Sequence, residues 1–160
     1  MWQLPRAVSL AAGASEGITA LNAFDRALAA AGVADLNFVR VTSILPAGAR
    51  LITTPPFPPG LLVPAVYARI ISHTAGERIA AAIGVGISRG DGHGVIMEHS
   101  HTGTAENAEA VVRRMVREAF DQRGLELEAV AVAASEHTVE RVGCVVALAL
   151  FWPTPTGPGP

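Results

Sequence analysis

Two segments of the chain carry apolar residues at helical spacing. The first covers 19–31, with Thr19 as a candidate N-cap and Gly32 as a stop. Its apolar stripe consists of Leu21, Phe24 and Leu28. The second is longer, covers 104–123 and ends before Gly124. We therefore expect two main helices.

Most of the remaining chain has strand-like patterns. The predicted strands cover 6–12, 36–45, 62–73, 78–88, 94–99, 127–134 and 142–152. The strand over 78–88 contains several small residues, including Gly84 and Gly86. Small side chains in a strand indicate that another element packs closely against it. Prolines make 46–64 a connection that resists both helix and central strand. Helices and strands do not alternate regularly, so the expected fold is α+β, an αββα-type sandwich of mainly antiparallel strands.

The composition predicts one domain and partner subunits. A chain of 160 residues is long enough to bury a single core, which we place in 1–152, followed by a tail over 153–160 predicted to be disordered. Hydrophobic residues make up 50% of the chain and charged residues only 16%. Such a composition indicates that partner subunits cover part of the surface, so we expect a homo-oligomer.

Charge and hydropathy argue against nucleic acid and membrane as partners. The net charge is -2 with no basic stripe, which argues against nucleic acid. The longest apolar runs, such as 144–152, are shorter than the roughly 20 residues of a membrane helix, so no membrane span is expected. No apolar segment follows a basic start at the N-terminus, so a cytoplasmic location is expected. The single cysteine, Cys144, lies in an apolar run and is expected to be a small buried hydrophobe rather than a nucleophile.

The chain contains no lysine, and all 12 of its basic residues other than histidine are arginines. Pyridoxal phosphate is normally held as a Schiff base on a lysine, so that cofactor is excluded. A P-loop is excluded for the same reason. Any carbonyl electron sink would have to come from the chain itself.

A hydroxyl pair, Thr42 and Ser43, closes an apolar run and is followed by Ile44, Leu45 and Pro46. By itself, this pattern is typical of a strand that ends in a turn. Its wider context is more specific, because 21–48 reads LNAFDRALAAAGVADLNFVRVTSILPAG and resembles the pyruvoyl-dependent arginine decarboxylases. Further blocks resemble that family in the same order: AVSLAAGASEG, GLLVPAVYARIIS, GVIMEHS and SEHTVERVGCVVALALFW.

The resemblance implies that the chain cuts itself between Thr42 and Ser43, giving a 1–42 β chain and a 43–160 α chain. Ser43 Oγ would attack the Thr42 carbonyl carbon, and the resulting ester would undergo β-elimination. Hydrolysis then leaves a covalently bound pyruvoyl group in place of Ser43 and releases ammonia. Family members commonly have serine where this chain has Thr42, whose β-branching is expected to slow the cut.

The resemblance also implies an activity, in which L-arginine forms an imine with the pyruvoyl group and is converted to agmatine and CO2. Glu98 would donate the proton, and a carboxyl on an apolar strand can stay protonated near neutral pH. Asp25 would accept the guanidinium group, and Asn37 would assist processing or orient the substrate. Read without the resemblance, Glu98 is an exposed strand residue and Asp25 a charge on a helix surface.

The family assembles as trimers with sites between subunits, so the resemblance implies a homotrimer or a dimer of trimers. Six residues of extended strand, spanning roughly 20 Å, separate Asn37 from Ser43, so we expect Asn37 to act on a neighbouring subunit's pyruvoyl group. Two other functions stay open. The substrate could be ornithine, lysine or another amino acid, or the chain could be a noncatalytic trimeric relative with a binding or structural role.

Histidines provide an alternative interpretation of 93–101. His99 and His101 would share a strand face near His93 and could bind a metal, with Glu98 on the opposite face. Because no second ligand pair has a standard spacing, no metal is expected. His73 and His137 stand alone and are expected to be structural.

Overall fold

The computed structural model describes residues 3–153, which form two helices and nine strands. The helices are α1 (Ala20–Ala30) and α2 (Ala105–Arg123). The strands are β1 (Ala7–Glu16), β2 (Asn37–Arg40), β3 (Ile44–Leu45), β4 (Arg50–Leu51), β5 (Leu62–Ser72), β6 (Arg78–Ser88), β7 (Gly94–Thr102), β8 (Leu127–Thr138) and β9 (Gly143–Trp152).

Two sheets pack face to face between the helices. Sheet A has the order β2-β5-β9-β1-β4, and sheet B has the order β3-β7-β6-β8. Most neighbouring strands are antiparallel, while the short strands β2 and β4 run parallel to β5 and β1. The predicted αββα-type sandwich of mainly antiparallel strands is therefore confirmed.

Each interface between layers has its own apolar core. Alternate residues of β9 divide between the two faces of sheet A: Val146 and Leu148 pack towards α1, and Val145 and Ala147 pack towards sheet B. On the far side of sheet B, Gly86 leaves room for α2, because a Cβ there would lie 2.5 Å from side-chain atoms of Val116 and Phe120. The close packing predicted against the strand over 78–88 is thus confirmed, and α2 is the element that packs there.

Both helices begin at threonine caps. The Thr19 hydroxyl accepts a hydrogen bond from Asn22 N–H, and Thr104 caps α2 in the same way through Asn107. Gly124 ends α2 in the left-handed conformation, with φ of 64°. The predicted helices are confirmed to within a residue or so of their ends.

One apolar position of α1 was predicted wrongly. Leu21 shares the periodicity of Leu28, but its side chain is 73% exposed, while Ala23 and Ala27 join Leu28 against sheet A. The buried face of α1 therefore consists of Ala23, Ala27 and Leu28 and does not include Leu21. Two small alanines let α1 lie close to the sheet, where a Cβ on Gly13 of β1 would come within 2.5 Å of the Ala27 carbonyl oxygen.

The predicted continuous strand over 36–45 is also wrong. The structure has β2 in sheet A, β3 in sheet B, and three residues, 41–43, that cross between the sheets. Strand-forming residues run through the whole segment, so its local pattern does not reveal the change of sheet.

Other boundaries moved by a few residues. The first and eighth strands extend further than predicted, to Glu16 and Thr138, and the two-residue β4 lies inside the proline-rich connection. The predicted disordered tail, 153–160, lies outside the described residues except for Pro153. Within 3–153, none of the helices is long and apolar enough to cross a membrane.

Candidate active site

The crossing 41–43 places the hydroxyl pair between the two sheets. On the sheet A side, Val41 N–H donates to the Ala65 carbonyl at 3.0 Å. On the sheet B side, the Ser43 carbonyl accepts from Ile96 N–H at 2.7 Å. Across residues 3–153, no hydrogen bond is formed by the Thr42 carbonyl or by Ser43 N–H, the two groups of the peptide between them. This peptide is therefore fixed on both sides but is itself unpaired.

Glu98 lies close to this crossing along β7. Ile44 pairs with Val95, and the bond from Ile96 to Ser43 continues that register by one residue. Glu98 follows Ile96 by two positions and so has the same sheet face, the one turned towards sheet A. The fold thus brings together Thr42, Ser43 and Glu98.

The Glu98 carboxylate borders a polar cavity of about 310 Å³ at the edge of the sandwich. The cavity is lined by Arg40, Tyr67, Ala68, Arg69, Glu98, His99 and Ser100. Glu98 does not have the wholly apolar surroundings that its strand pattern indicated, since its side chain is 30% exposed and one oxygen lies 3.8 Å from Arg40 Nη2.

Arg40 and Tyr67 were missed by the sequence analysis. Arg40 Nη2 donates to the Tyr67 carbonyl at 3.2 Å, and the guanidinium carbon lies 4.7 Å from the centre of the Tyr67 ring. The available signal was a charged residue at 40, in an otherwise apolar run, three positions before Ser43. Tyr67 had no such signal, because only the pairing of β2 with β5 brings it to the site.

A second cavity, of about 450 Å³, lies beside the same crossing. Its lining is largely apolar and consists of Gln3, Leu4, Pro5, Val41, Thr42, Ile44, Pro46, Pro64 and Phe151. Consecutive residues, Arg40 and Val41, line different cavities. The crossing therefore separates a polar cavity from an apolar one.

Asp25 and Asn37 do not line either cavity of this single chain. Asp25 is exposed on α1, one residue after Phe24, whose ring stacks on Tyr67 with centroids 6.5 Å apart. Asn37 is exposed at the end of β2 away from the crossing, and its Nδ2 donates to the Gly60 carbonyl at 3.1 Å. Neither side chain points into the core of its own chain.

The histidine pair lies on the other face of β7. His99 Nε2 is 3.3 Å from His101 Nδ1, and His101 Nε2 is 3.1 Å from the Thr104 carbonyl oxygen. Burial, and secondly the neighbouring His101, lower the pKa of His99. Among residues 3–153, no three His, Cys, Asp or Glu side chains come together as a metal site.

Two other predicted structural residues have clear environments. Cys144 is buried, and burial raises the pKa of its thiol to about 12, so it is not a nucleophile near neutral pH. His137 Nε2 lies 2.6 Å from Glu16 Oε1, far from the crossing in the fold. Both residues therefore have structural roles, as predicted.

Comparison with known proteins shows the family of the chain. The family model described as pyruvoyl-dependent arginine decarboxylase (PvlArgDC) matches residues 7–155. The chain is 45% identical over 152 residues to the pyruvoyl-dependent arginine decarboxylase of Methanocaldococcus jannaschii, with 94% of this chain and 92% of the relative covered. It is 41% identical over 154 residues to that of Thermococcus kodakarensis, with 95% and 98% covered.

A solved structure of a pyruvoyl-dependent histidine decarboxylase at pH 8 shares the fold. The TM-score is 0.51 at 11% sequence identity, with 61% of this chain and 53% of that chain covered. The resemblance seen in the sequence is confirmed over nearly the whole described chain. The chain belongs to the pyruvoyl-dependent arginine decarboxylase family.

Proposed function

We propose that this chain is a self-processing decarboxylase that cuts itself between Thr42 and Ser43 and converts L-arginine to agmatine and CO2. The observation that carries the proposal is the unpaired Thr42–Ser43 peptide, held from both sheets next to Glu98. The names of the relatives support arginine as the substrate.

The local structure suits the formation of a pyruvoyl group from Ser43. A peptide inside a sheet would have to break ladder hydrogen bonds to rearrange, whereas the Thr42 carbonyl is free to be attacked by Ser43 Oγ. The flanking bonds at Val41 and Ser43 keep both new chain ends in place after the cut. When formed, the pyruvoyl carbonyl supplies the electron sink that the lysine-free chain needs for decarboxylation.

Glu98 is the proposed proton donor to the substrate Cα after CO2 has left. Glu98 lies two residues along β7 from Ile96, the hydrogen-bond partner of Ser43, and this proximity supports the role. The polar cavity beside it has room for a small amino acid.

Asp25 and Asn37 are proposed to act on a neighbouring subunit's site. Both are exposed, and neither lines the polar or the apolar cavity at the crossing of its own chain. Asp25 follows Leu21 by four residues on α1, so it shares a helix face with a large exposed apolar side chain. A partner that covers this face would meet Asp25, whose carboxylate suits a guanidinium group.

Two separate apolar patches support a ring of subunits. One contains Ile18 and Leu21, which are 81% and 73% exposed. The other lies at the crossing and contains exposed Leu4, Val41 and Ile44, which line the apolar cavity there. Two different patches that pair head to tail form a closed ring when the rotation between subunits closes, as it would in the proposed homotrimer or dimer of trimers.

The substrate is tested by incubating the purified protein with arginine, ornithine and lysine, and measuring CO2 and amine products. Agmatine from arginine, with much slower turnover of the other two, is the expected result. Preferential release of CO2 from ornithine or lysine would contradict the assignment. No release from any amino acid by a correctly cut chain would point to a noncatalytic protein.

Sharing of sites between subunits is tested by co-expressing two inactive variants, Ser43→Ala and Asp25→Ala, with different tags. Mixed oligomers should recover activity, because an intact Asp25 from one chain can meet an intact Ser43 from the other. If Asp25 acts within its own chain, the mixture will stay as inactive as each variant alone.

A further inference from the structure

Arg40 extends the contact between β2 and β5 beyond the last backbone hydrogen bond. The bond from Val41 N–H uses the Ala65 carbonyl, and the chain then leaves sheet A. The carbonyl of Tyr67, two positions further along β5, is taken by the Arg40 side chain. The guanidinium group thus donates to β5 where β2 no longer provides a backbone N–H.

The same guanidinium group reaches the other sheet. Its Nη2 lies 3.8 Å from Glu98 Oε1, while the group rests on the Tyr67 ring. Arg40 therefore links β5 of sheet A to β7 of sheet B directly beside the crossing.

The proposed cut gives this link a specific consequence. Arg40 belongs to the 1–42 chain, two residues from its new C-terminus, and both of its partners belong to the 43–160 chain. Once the Thr42–Ser43 bond is broken, the end of the 1–42 chain is held on β5 by the Val41 hydrogen bond and by Arg40.

We infer that Arg40 is a positioning residue, which holds the Glu98 carboxyl group and the new end of the 1–42 chain in place after the cut. This inference rests on the proposed function. The Arg40 side chain is 60% exposed, so its ion pair adds little to overall stability, and its removal should leave the fold intact. Its effect is expected in the orientation of Glu98, where small displacements slow proton transfer.

The test compares Arg40→Met, Arg40→Lys and Arg89→Met with the wild-type enzyme. Arg89 forms an ion pair with Glu126 at 2.8 Å and is similarly exposed, but it lies outside the site, which makes it a matched control. Each protein is checked for the cut by intact mass, and kcat and KM for arginine are then measured separately.

We expect Arg40→Met to be cut completely, with kcat lowered about 10-fold and KM changed by less than about 2-fold. Lysine keeps the charge and a donor for the Tyr67 carbonyl, so Arg40→Lys should recover most of the lost kcat, and Arg89→Met should match the wild type.

Three results would overturn the inference while leaving the proposed function standing. They are a wild-type kcat in Arg40→Met, an Arg40→Lys variant no better than Arg40→Met, or an Arg40→Met chain that stays uncut although the wild type is cut. A wild-type chain that is itself uncut and inactive would instead overturn the proposed function.

Discussion

The chain passes between the two sheets at 41–43 and again at 139–142, and the two crossings differ in how their backbone is satisfied. In 139–142, each N–H group is paired: Val139 donates to Glu77, and the other three donate to the carboxylate of Glu16. In 41–43, the peptide between Thr42 and Ser43 forms no hydrogen bond with any of the described residues 3–153. One crossing thus has its N–H groups paired within the protein, and the other does not.

At the second crossing, the Glu16 carboxylate accepts the hydrogen bonds that pair the backbone of 140–142. Burial alone would raise the pKa of this carboxyl, but hydrogen bonds from Glu140, Arg141 and Val142 and from His137 lower the pKa to about 2. A turn clamped by an anion in this way stabilises the fold. The chain can therefore pair the backbone of a crossing between its sheets, and the contrast at 42–43 agrees with the cut proposed there.

The largest expected effect comes from Ser43→Ala. Without Oγ there is no nucleophile for the Thr42 carbonyl, so the chain should stay uncut and activity should fall by at least about 1000-fold. Intact mass and agmatine release measure the two outcomes. Ser100→Ala, which removes the one serine hydroxyl among the residues that line the polar cavity, is the control and should still be cut. Cutting of the Ser43→Ala chain at the same bond would contradict the assignment.

Glu98→Gln should separate the cut from catalysis. The amide keeps the shape of the side chain but cannot donate the proton, so kcat should fall by about 100- to 10,000-fold. Cleavage should still reach completion, as shown by two chains in the denatured mass spectrum. Near-normal kcat in the cut variant would rule out Glu98 as the proton donor.

Glu16→Gln should weaken the clamped crossing without affecting the cut. A shift in pKa from 4.5 to about 2 corresponds to about 3 kcal/mol, which partial exposure of the carboxylate reduces to about 1–2 kcal/mol. Because the folded-state pKa is lowered, this stability is present above pH 4.5 and is lost as the pH falls towards 2.

Urea unfolding at several pH values provides the measurement. The wild type should lose this component between pH 4.5 and 2, whereas Glu16→Gln should be less stable at neutral pH and lack that part of the pH dependence. Glu126→Gln, in an exposed ion pair, should change stability by less than about 0.5 kcal/mol. Equal pH dependence in wild type and Glu16→Gln would show that the clamp does not stabilise the fold.

Thr42→Ser should give the smallest effect. Removing the β-branch relieves crowding next to the attacked carbonyl, so the cut should become about 2- to 5-fold faster, and the activity of the fully cut enzyme should not change. The rate is followed by the disappearance of the intact chain after synthesis. A slower cut would mean that the threonine methyl group assists processing.

Local sequence was enough to predict the helices and strands that have a regular pattern of apolar residues and clear end signals. The helix over 104–123 has a regular apolar stripe, a threonine cap and a glycine stop, and Gly84 and Gly86 indicated the close packing of α2. The exposed Leu21 was placed wrongly because periodicity alone does not tell which of two neighbouring faces meets the sheet.

The site was predictable only in part because its contacts are made between distant segments. The resemblance to a family pointed to Ser43 and Glu98, whose proximity follows from the β3–β7 register. The change of sheet at 41–43 and the link from Arg40 to Tyr67 depend on tertiary pairing, which leaves no local pattern. Asp25 and Asn37 lie apart from this site in a single chain, so their proposed roles depend on an assembly of several chains.

Denatured intact mass of the purified protein shows whether the chain cuts itself at the Thr42–Ser43 peptide. We expect two species, 1–42 and 43–160, with the larger carrying a carbonyl in place of its terminal amine. A single intact chain that stays uncut on long incubation would contradict this expectation.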